Sequence, residues 1–268
     1  MNATGWTFAL MVITSLAMLF GCDVQSKLLY HPTAQMPSKD VLAASRMQFW
    51  PASSGEYRGF VDDTKIRNIK GTIIVFHGNA GTAADRSFYI KALSPLGYRV
   101  ILAEYPMYGA RGGKLGEESF VKDALETLSL THQQYGGPLF LIGESLGCGV
   151  AAAAAKDTSV KIDGIILITP WDTLLSVAKA KFPWLPVRLL MKDKYDSIGN
   201  LKGYQGRIAI IGAERDEIIP IVHATSLYQS LSGSKAMWVI KGVGHNDWPM
   251  SVNEAWWDEI MKFIDVPS

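Results

Sequence analysis

Ser145 stands in the stretch Gly143-Glu144-Ser145-Leu146-Gly147, between an apolar run and a run of small residues. A serine in a tight strand-to-helix turn is presented at the end of its strand. The glycines two residues to either side leave such a turn the room it needs. The chemistry this suits is nucleophilic acyl transfer, for which a hydroxyl needs a histidine base and an acid to orient that base. Of five histidines, His245 in "VIKGVGHNDW" is placed for the task, just past the last apolar run in a loop kept open by Gly242 and Gly244. His31 lies in a proline-flanked stretch, His132 ends a helical pattern, and His223 follows "DEIIP"; these three are expected to be structural or solvated. The expected acid is Asp216, three residues beyond the apolar run Arg207–Ala213. Glu214 and Glu217 flank it, and Asp172 in "TPWDT" competes for the role.

The same chemistry needs two N–H donors for a developing oxyanion, and losing one costs about 3–4 kcal/mol. The main-chain N–H of Leu146, next to the serine, is one candidate. The other is expected from "HGNAGTAADR", His77 to Arg86, where Asn79 offers its amide and His77 braces the loop.

These residues require a scaffold that brings distant loops together. Six short, nearly continuous apolar runs provide it: Thr72–Phe76, Arg99–Tyr105, Leu139–Gly143, Gly164–Thr169, Arg207–Ala213 and Ala236–Gly242. Continuous rather than alternating apolarity predicts strands buried on both faces of a parallel sheet. "MQFWPA" and "YRGFVD", split by Ser53-Ser54-Gly55, predict a two-stranded start. Helical spacing lies between the runs. Phe120, Val121, Ala124, Leu125 and Leu128 repeat three and four apart behind Glu117 and Glu118, "SLGCGVAAAAA" follows the serine, and "EAWWDEIMKFI" ends the pattern. Strands alternating with helices predict an α/β fold with right-handed crossovers, whose ligands bind at the carboxyl ends of the strands.

Composition narrows the function classes. Hydrophobic residues are 48% of 268, enough for a sizeable core, and 26 Lys+Arg against 25 Asp+Glu leaves no electrostatic footprint for nucleic acid. Cys22 and Cys148 lack any spacing that suggests zinc or a disulfide framework, so neither metal nor cofactor is expected. No G-x-G-x-x-G or P-loop follows the first buried run, which disfavours a nucleotide-binding protein.

Taken together, "HGNAG", "GESLG", "GAERDEIIP" and "GVGHND", in that order, resemble the α/β-hydrolase fold, and more narrowly the Bem46/ABHD13/ABHD17-like serine hydrolases. The resemblance runs from about Leu28 to Phe263 and includes "LLYHPT" and "KYDSIGNL". It implies the chain order Ser145, Asp216, His245 and an esterase, thioesterase or lipase-like activity on an acyl substrate. The alternatives are a serine peptidase or amidase, for which no large substrate-restricting domain is present, and a noncatalytic membrane-tethered module of the same fold. Between Pro170 and Arg207 only a minimal cap fits. There "FPWLPVRLLM", Phe182 to Met191, is expected either to line an acyl pocket or to complete the core as a kinked helix. "YPMYGARGG", Tyr105 to Gly113, is expected at the pocket wall.

The start of the chain is different in kind. No charged side chain precedes Asp23, and the apolar run Phe8–Phe20 leads to Gly21-Cys22. Its length fits a secretory segment or a short membrane anchor, and "LFGC" resembles a bacterial lipobox with Cys22 as the acylated residue. The expected organisation is a signal peptide or anchor over 1–21, an extended leader over 22–46, and an α/β-hydrolase domain over 47–268. Lipid anchoring on the extracytoplasmic face is the expected location, with an uncleaved anchor or secretion as alternatives.

Overall fold

The apolar runs pair into one sheet. The computed structural model describes residues 24–51, 57–63 and 68–266; the anchor segment, Cys22 and the Ser53-Ser54-Gly55 turn lie outside them. The strands are β1 (Met47–Trp50), β2 (Gly59–Asp62), β3 (Gly71–Phe76), β4 (Tyr98–Ala103), β5 (Leu139–Glu144), β6 (Gly164–Ile168), β7 (Arg207–Ala213) and β8 (Lys235–Ile240). Their spatial order is β8-β7-β6-β5-β3-β4-β2-β1. β3 to β8 pair in parallel; β2 is antiparallel to both β1 and β4. This is the α/β-hydrolase fold, a mostly parallel central sheet flanked by helices.

Helices follow in chain order: α1 (Lys39–Ala44), α2 (Phe88–Leu93), α3 (Glu117–Tyr135), α4 (Leu146–Asp157), α5 (Leu174–Lys181), α6 (Val187–Leu190), α7 (Ser197–Leu201), α8 (Ile221–Ser230) and α9 (Glu254–Ile264). Alternate residues of a strand point to opposite faces, so a continuous apolar strand needs a helix layer on each side. Ile74 and Phe76 pack with Phe120 of α3, Val150 of α4 and Leu227 of α8. Ile73 and Val75 pack with Ile90 of α2 and Ile260 of α9. Each large aliphatic side chain so buried contributes about 1.5–3 kcal/mol.

Register explains why one edge of the sheet carries the chemistry. Phe76 is opposite Gly143, Glu144 opposite Ile168, Ile168 opposite Ile211, and Ala213 opposite Ile240. The loops after β3, β5, β6, β7 and β8 therefore leave from neighbouring points. β3 lies between β4 and β5, so successive crossovers depart to opposite sides there, the usual place for a ligand crevice in an open α/β sheet.

The leader departs from the extended form expected for it. Residues 24–29 are helical, and α1 begins at Ser38, whose side chain accepts from the Val41 N–H. A serine cap with Asp40 in the first turn is enough to start a helix there. Only the middle is extended: His31–Pro32 forms a short parallel ladder with Ala80–Gly81. Among the described residues, no helix is long and apolar enough to cross a membrane.

Candidate active site

The turn carrying Ser145 is strained. Its φ of 53° and ψ of −113° lie in a region that a residue with a Cβ occupies at a cost of about 1–3 kcal/mol. Packing over-determines it. The Ser145 N–H donates to the Ile168 carbonyl at 2.9 Å. A Cβ on Gly143 would sit 2.6 Å from the Cys148 Cα, and one on Gly147 would collide with the Phe76 carbonyl. The glycines thus let α4 start directly against the end of β3. The Cys148 thiol is buried beneath, donating toward the Gly143 and Ile168 carbonyls, and burial pushes it well above the ordinary thiol range.

Ser145, His245 and Asp216 meet in one hydrogen-bonded line. Ser145 Oγ lies 3.0 Å from His245 Nε2, and His245 Nδ1 lies 2.7 Å from Asp216 Oδ2. All three are buried. The other Asp216 oxygen accepts from the main-chain N–H groups of Ile218 and Ile219, so both oxygens are held as acceptors. A carboxylate opposite Nδ1 makes that nitrogen the donor and leaves the Nε2 lone pair for the serine hydroxyl. Glu217, one of the flanking carboxylates, instead accepts the main-chain N–H of His245 and fixes the loop. Glu214 binds Lys241 and the Gly242 N–H at the surface.

Asp172 belongs to a different cluster. Its Oδ1 takes a hydrogen bond from Ser176 and lies 2.9 Å from Nδ1 of the buried His223. Burial alone would raise this carboxyl, but Ser176, the Thr173 N–H and His223 outweigh it and hold it below the usual range. His223, expected as a structural residue, ties α8 to the base of α5 through this cluster.

In the loop after β3, Asn79 Nδ2 donates one of its two hydrogens to the Leu29 carbonyl at 2.9 Å, so the leader holds the side chain expected to offer its amide. The Asn79 main-chain N–H, for which no described residue is an acceptor, is a second donor at the same place. Leu146, at the first position of α4, is in the same condition, as helix N-termini are. His77 is wholly buried, with Nε2 3.0 Å from Glu104 and Nδ1 2.7 Å from the Gly78 carbonyl. The Tyr105–Gly113 segment packs against this histidine, through Tyr105 and Tyr108 with ring centroids 4.4 and 5.4 Å away.

Two groups in the site escaped the sequence reading. Glu104 accepts from the Ala83 N–H as well as facing His77, so one carboxylate braces both ends of the loop. A charge inside the apolar "RVILAEY" was its signal, since a buried carboxylate demands partners. Glu144, immediately before the serine, receives two hydrogen bonds from Arg86 and one from Tyr89. Nothing local announces that pair. Among the described residues no cluster of His, Cys, Asp and Glu is arranged to hold a metal ion.

Comparison with known proteins bears on the fold. A family model described as alpha/beta hydrolase fold matches residues 71–194. An uncharacterized protein of Mycobacterium tuberculosis, Rv2307c, is 29% identical over 259 residues, covering 94% of this chain and 92% of that protein. Protein ABHD12B of Homo sapiens is 31% identical over 187 residues, 62% of this chain and 51% of that protein. Lysophosphatidylserine lipase ABHD12 of Danio rerio is 29% identical over 184 residues, 62% of this chain and 48% of that protein. The matches to these two animal proteins span only about half of their length. Among solved structures, the Pyrococcus furiosus esterase Pf2001 superposes with a TM-score of 0.66 at 16% identity, covering 88% of this chain and 96% of that chain. At that identity the likeness is one of fold.

Proposed function

We propose that this α/β-hydrolase-fold chain is a serine hydrolase that cleaves carboxylic esters or thioesters, with an amphipathic lipid as the acyl substrate. The observation that carries the reading is the buried line from Ser145 Oγ through His245 to Asp216, set at the N-terminus of α4. Ser145 Oγ attacks the acyl carbonyl as its proton passes to His245 Nε2. Asp216 stabilises the imidazolium and keeps its tautomer. The oxyanion is met by the main-chain N–H groups of Leu146 and Asn79. Collapse expels the alcohol or thiol, which takes the proton from Nε2, and leaves an ester on Ser145. Water then repeats the sequence: His245 accepts its proton, hydroxide adds to the acyl carbon, and the acid departs as Oγ is reprotonated. The activity of one relative, the lysophosphatidylserine lipase of Danio rerio, supports a lipid ester as substrate. The narrower Bem46/ABHD13/ABHD17-like placement rests on the four sequence motifs.

A fluorophosphonate probe is expected to label the protein on Ser145, and a panel of acyl esters, thioesters and amides to show turnover of the first two. An unlabelled protein, or turnover confined to amides, overturns the reading.

The same proposal includes attachment to the extracytoplasmic face of a membrane through Cys22. A diacylglycerol thioether with a further acyl chain buries many methylenes at about 0.8 kcal/mol each, and two or more chains give a stable anchor. Cys22→Ser is expected to release the chain from membranes, with mass spectrometry of the wild type finding lipid on Cys22. Retention of Met1 and unchanged attachment of the variant replace this with an uncleaved N-terminal anchor.

A further inference from the structure

The cap exposes side chains that neither the core nor the catalytic line uses. Trp184 is 76% and Leu189 70% exposed, on the two sides of the single buried residue of α6, Val187. The segment expected to line a pocket or fill the core therefore turns much of its apolar surface outward. Cations surround it: Lys179, Lys181, Arg188, Lys192 and Lys194 are all exposed, in a chain whose net charge is only +1. The one acid between residues 179 and 194 is Asp193, which is buried and held by the Tyr30 hydroxyl and the Glu117 N–H. The Glu117 carboxylate meets the far end of the segment, where it accepts from the Lys194 and Tyr195 N–H groups. An exposed tryptophan and leucine among several lysines and an arginine match an anionic bilayer surface, with apolar groups for the acyl boundary and cations for the headgroups.

Where the leader joins the fold decides the orientation. Gln25 Oε1 accepts from the main-chain N–H groups of Lys192 and Asp193, and Gln25 Nε2 donates to the Asp193 carbonyl. Cys22 is three positions before Gln25, a reach of at most about 11 Å. Whatever holds Cys22 or the apolar run before it in a membrane holds the 192–194 end of the cap against the headgroups. Val24 and Leu28, one turn apart in the helical stretch 24–29, are 52% and 60% exposed and add apolar surface at the same junction.

We propose that the leader helix 24–29 and the cap segment 179–194 form one docking face for an anionic lipid bilayer, beside the point where the N-terminal anchor joins the fold. The proposal rests on the anchoring reading given above. α5 starts at the carboxyl edge of the sheet, the edge that presents Ser145. Docking there sets the catalytic line next to the lipid, so an acyl ester reaches Ser145 without first dispersing in water.

Trp184 is its own reporter. The full chain is mixed with vesicles of brominated phosphatidylcholine, alone or with phosphatidylglycerol, and the quenching lost on Trp184→Phe is taken as the Trp184 component. That subtraction removes the signal of the other tryptophans, including Trp6 in a chain that keeps residues 1–21. Flotation on the neutral vesicles reports the anchor separately. The expected result is a Trp184 component with phosphatidylglycerol that is lost in Lys179→Glu/Lys181→Glu/Arg188→Glu and in high salt. A chain that floats but shows no Trp184 component with phosphatidylglycerol overturns the docking face and leaves the anchor standing. Quenching equal in neutral vesicles and indifferent to charge reversal also overturns it. So does a Trp184 emission shift that follows protein concentration without lipid, which assigns the face to a second copy. Charge-dependent quenching without flotation on neutral vesicles supports the face and removes the anchor.

Discussion

Ser145→Ala is expected to lower kcat by about a millionfold, the scale of losing the nucleophile of a serine triad whose members act as a unit. Fluorophosphonate labelling vanishes with it. The fold is expected to persist, because the side chain lost is one hydroxyl whose described partner is His245, while the turn itself is held by the Ser145 N–H, by Gly143 and by Gly147. Circular dichroism and thermal unfolding alongside the assay separate the two effects. Labelling of the alanine variant equal to wild type places the nucleophile elsewhere.

Asp216→Asn is expected to be the next most damaging change to the rate. An amide in place of the Oδ2 acceptor can present N–H to His245 Nδ1. That reverses the tautomer and puts a hydrogen on Nε2 where the Ser145 proton must go. In a serine triad this costs about ten-thousandfold in kcat with little change in binding. Asp172→Asn makes the discriminating comparison. Its carboxylate holds Ser176 and His223, so the loss is expected in stability, about 1–3 kcal/mol, with kcat nearly unchanged. The sign of its pH dependence follows from the depressed carboxyl. The stabilisation is present above the ordinary carboxylate range, is lost as the pH falls through the depressed value, and is absent from the variant throughout. Should Asp172→Asn prove the more harmful to kcat, Asp216 is not the orienting acid.

How much of this was readable in the chain depends on how local each signal is. The elbow is local: two glycines, a serine and the change from an apolar run to small residues lie within a dozen positions. The strand runs are local too, and because each ends near a functional residue, correct strand ends bring Ser145, Asp216 and His245 to one edge. The pairing of Arg86 with Glu144 spans 58 positions and obeys no period, so only the fold reveals it. The leader misled for the opposite reason. Two prolines announce extended backbone, but the competing local signal, Ser38 capping α1, lies just beyond them. The bond from Asn79 Nδ2 to the Leu29 carbonyl joins positions fifty residues apart and is likewise visible only in the fold.

Under the anchoring proposed above, the bond between Asn79 and Leu29 makes the place of a proteolytic cut matter. Between Leu29 and Thr33 the leader accepts from the Asn79 amide, donates from the His31 N–H to the Asn79 carbonyl, and accepts from the Gly109 N–H. A protease cutting before Val24 would shed an intact enzyme. One cutting between Thr33 and Pro37 would leave the strap held only by noncovalent contacts, so that its departure would carry off the anchor and the brace of the loop after β3 together. The site of the cut thus determines whether shedding spreads the activity or ends it.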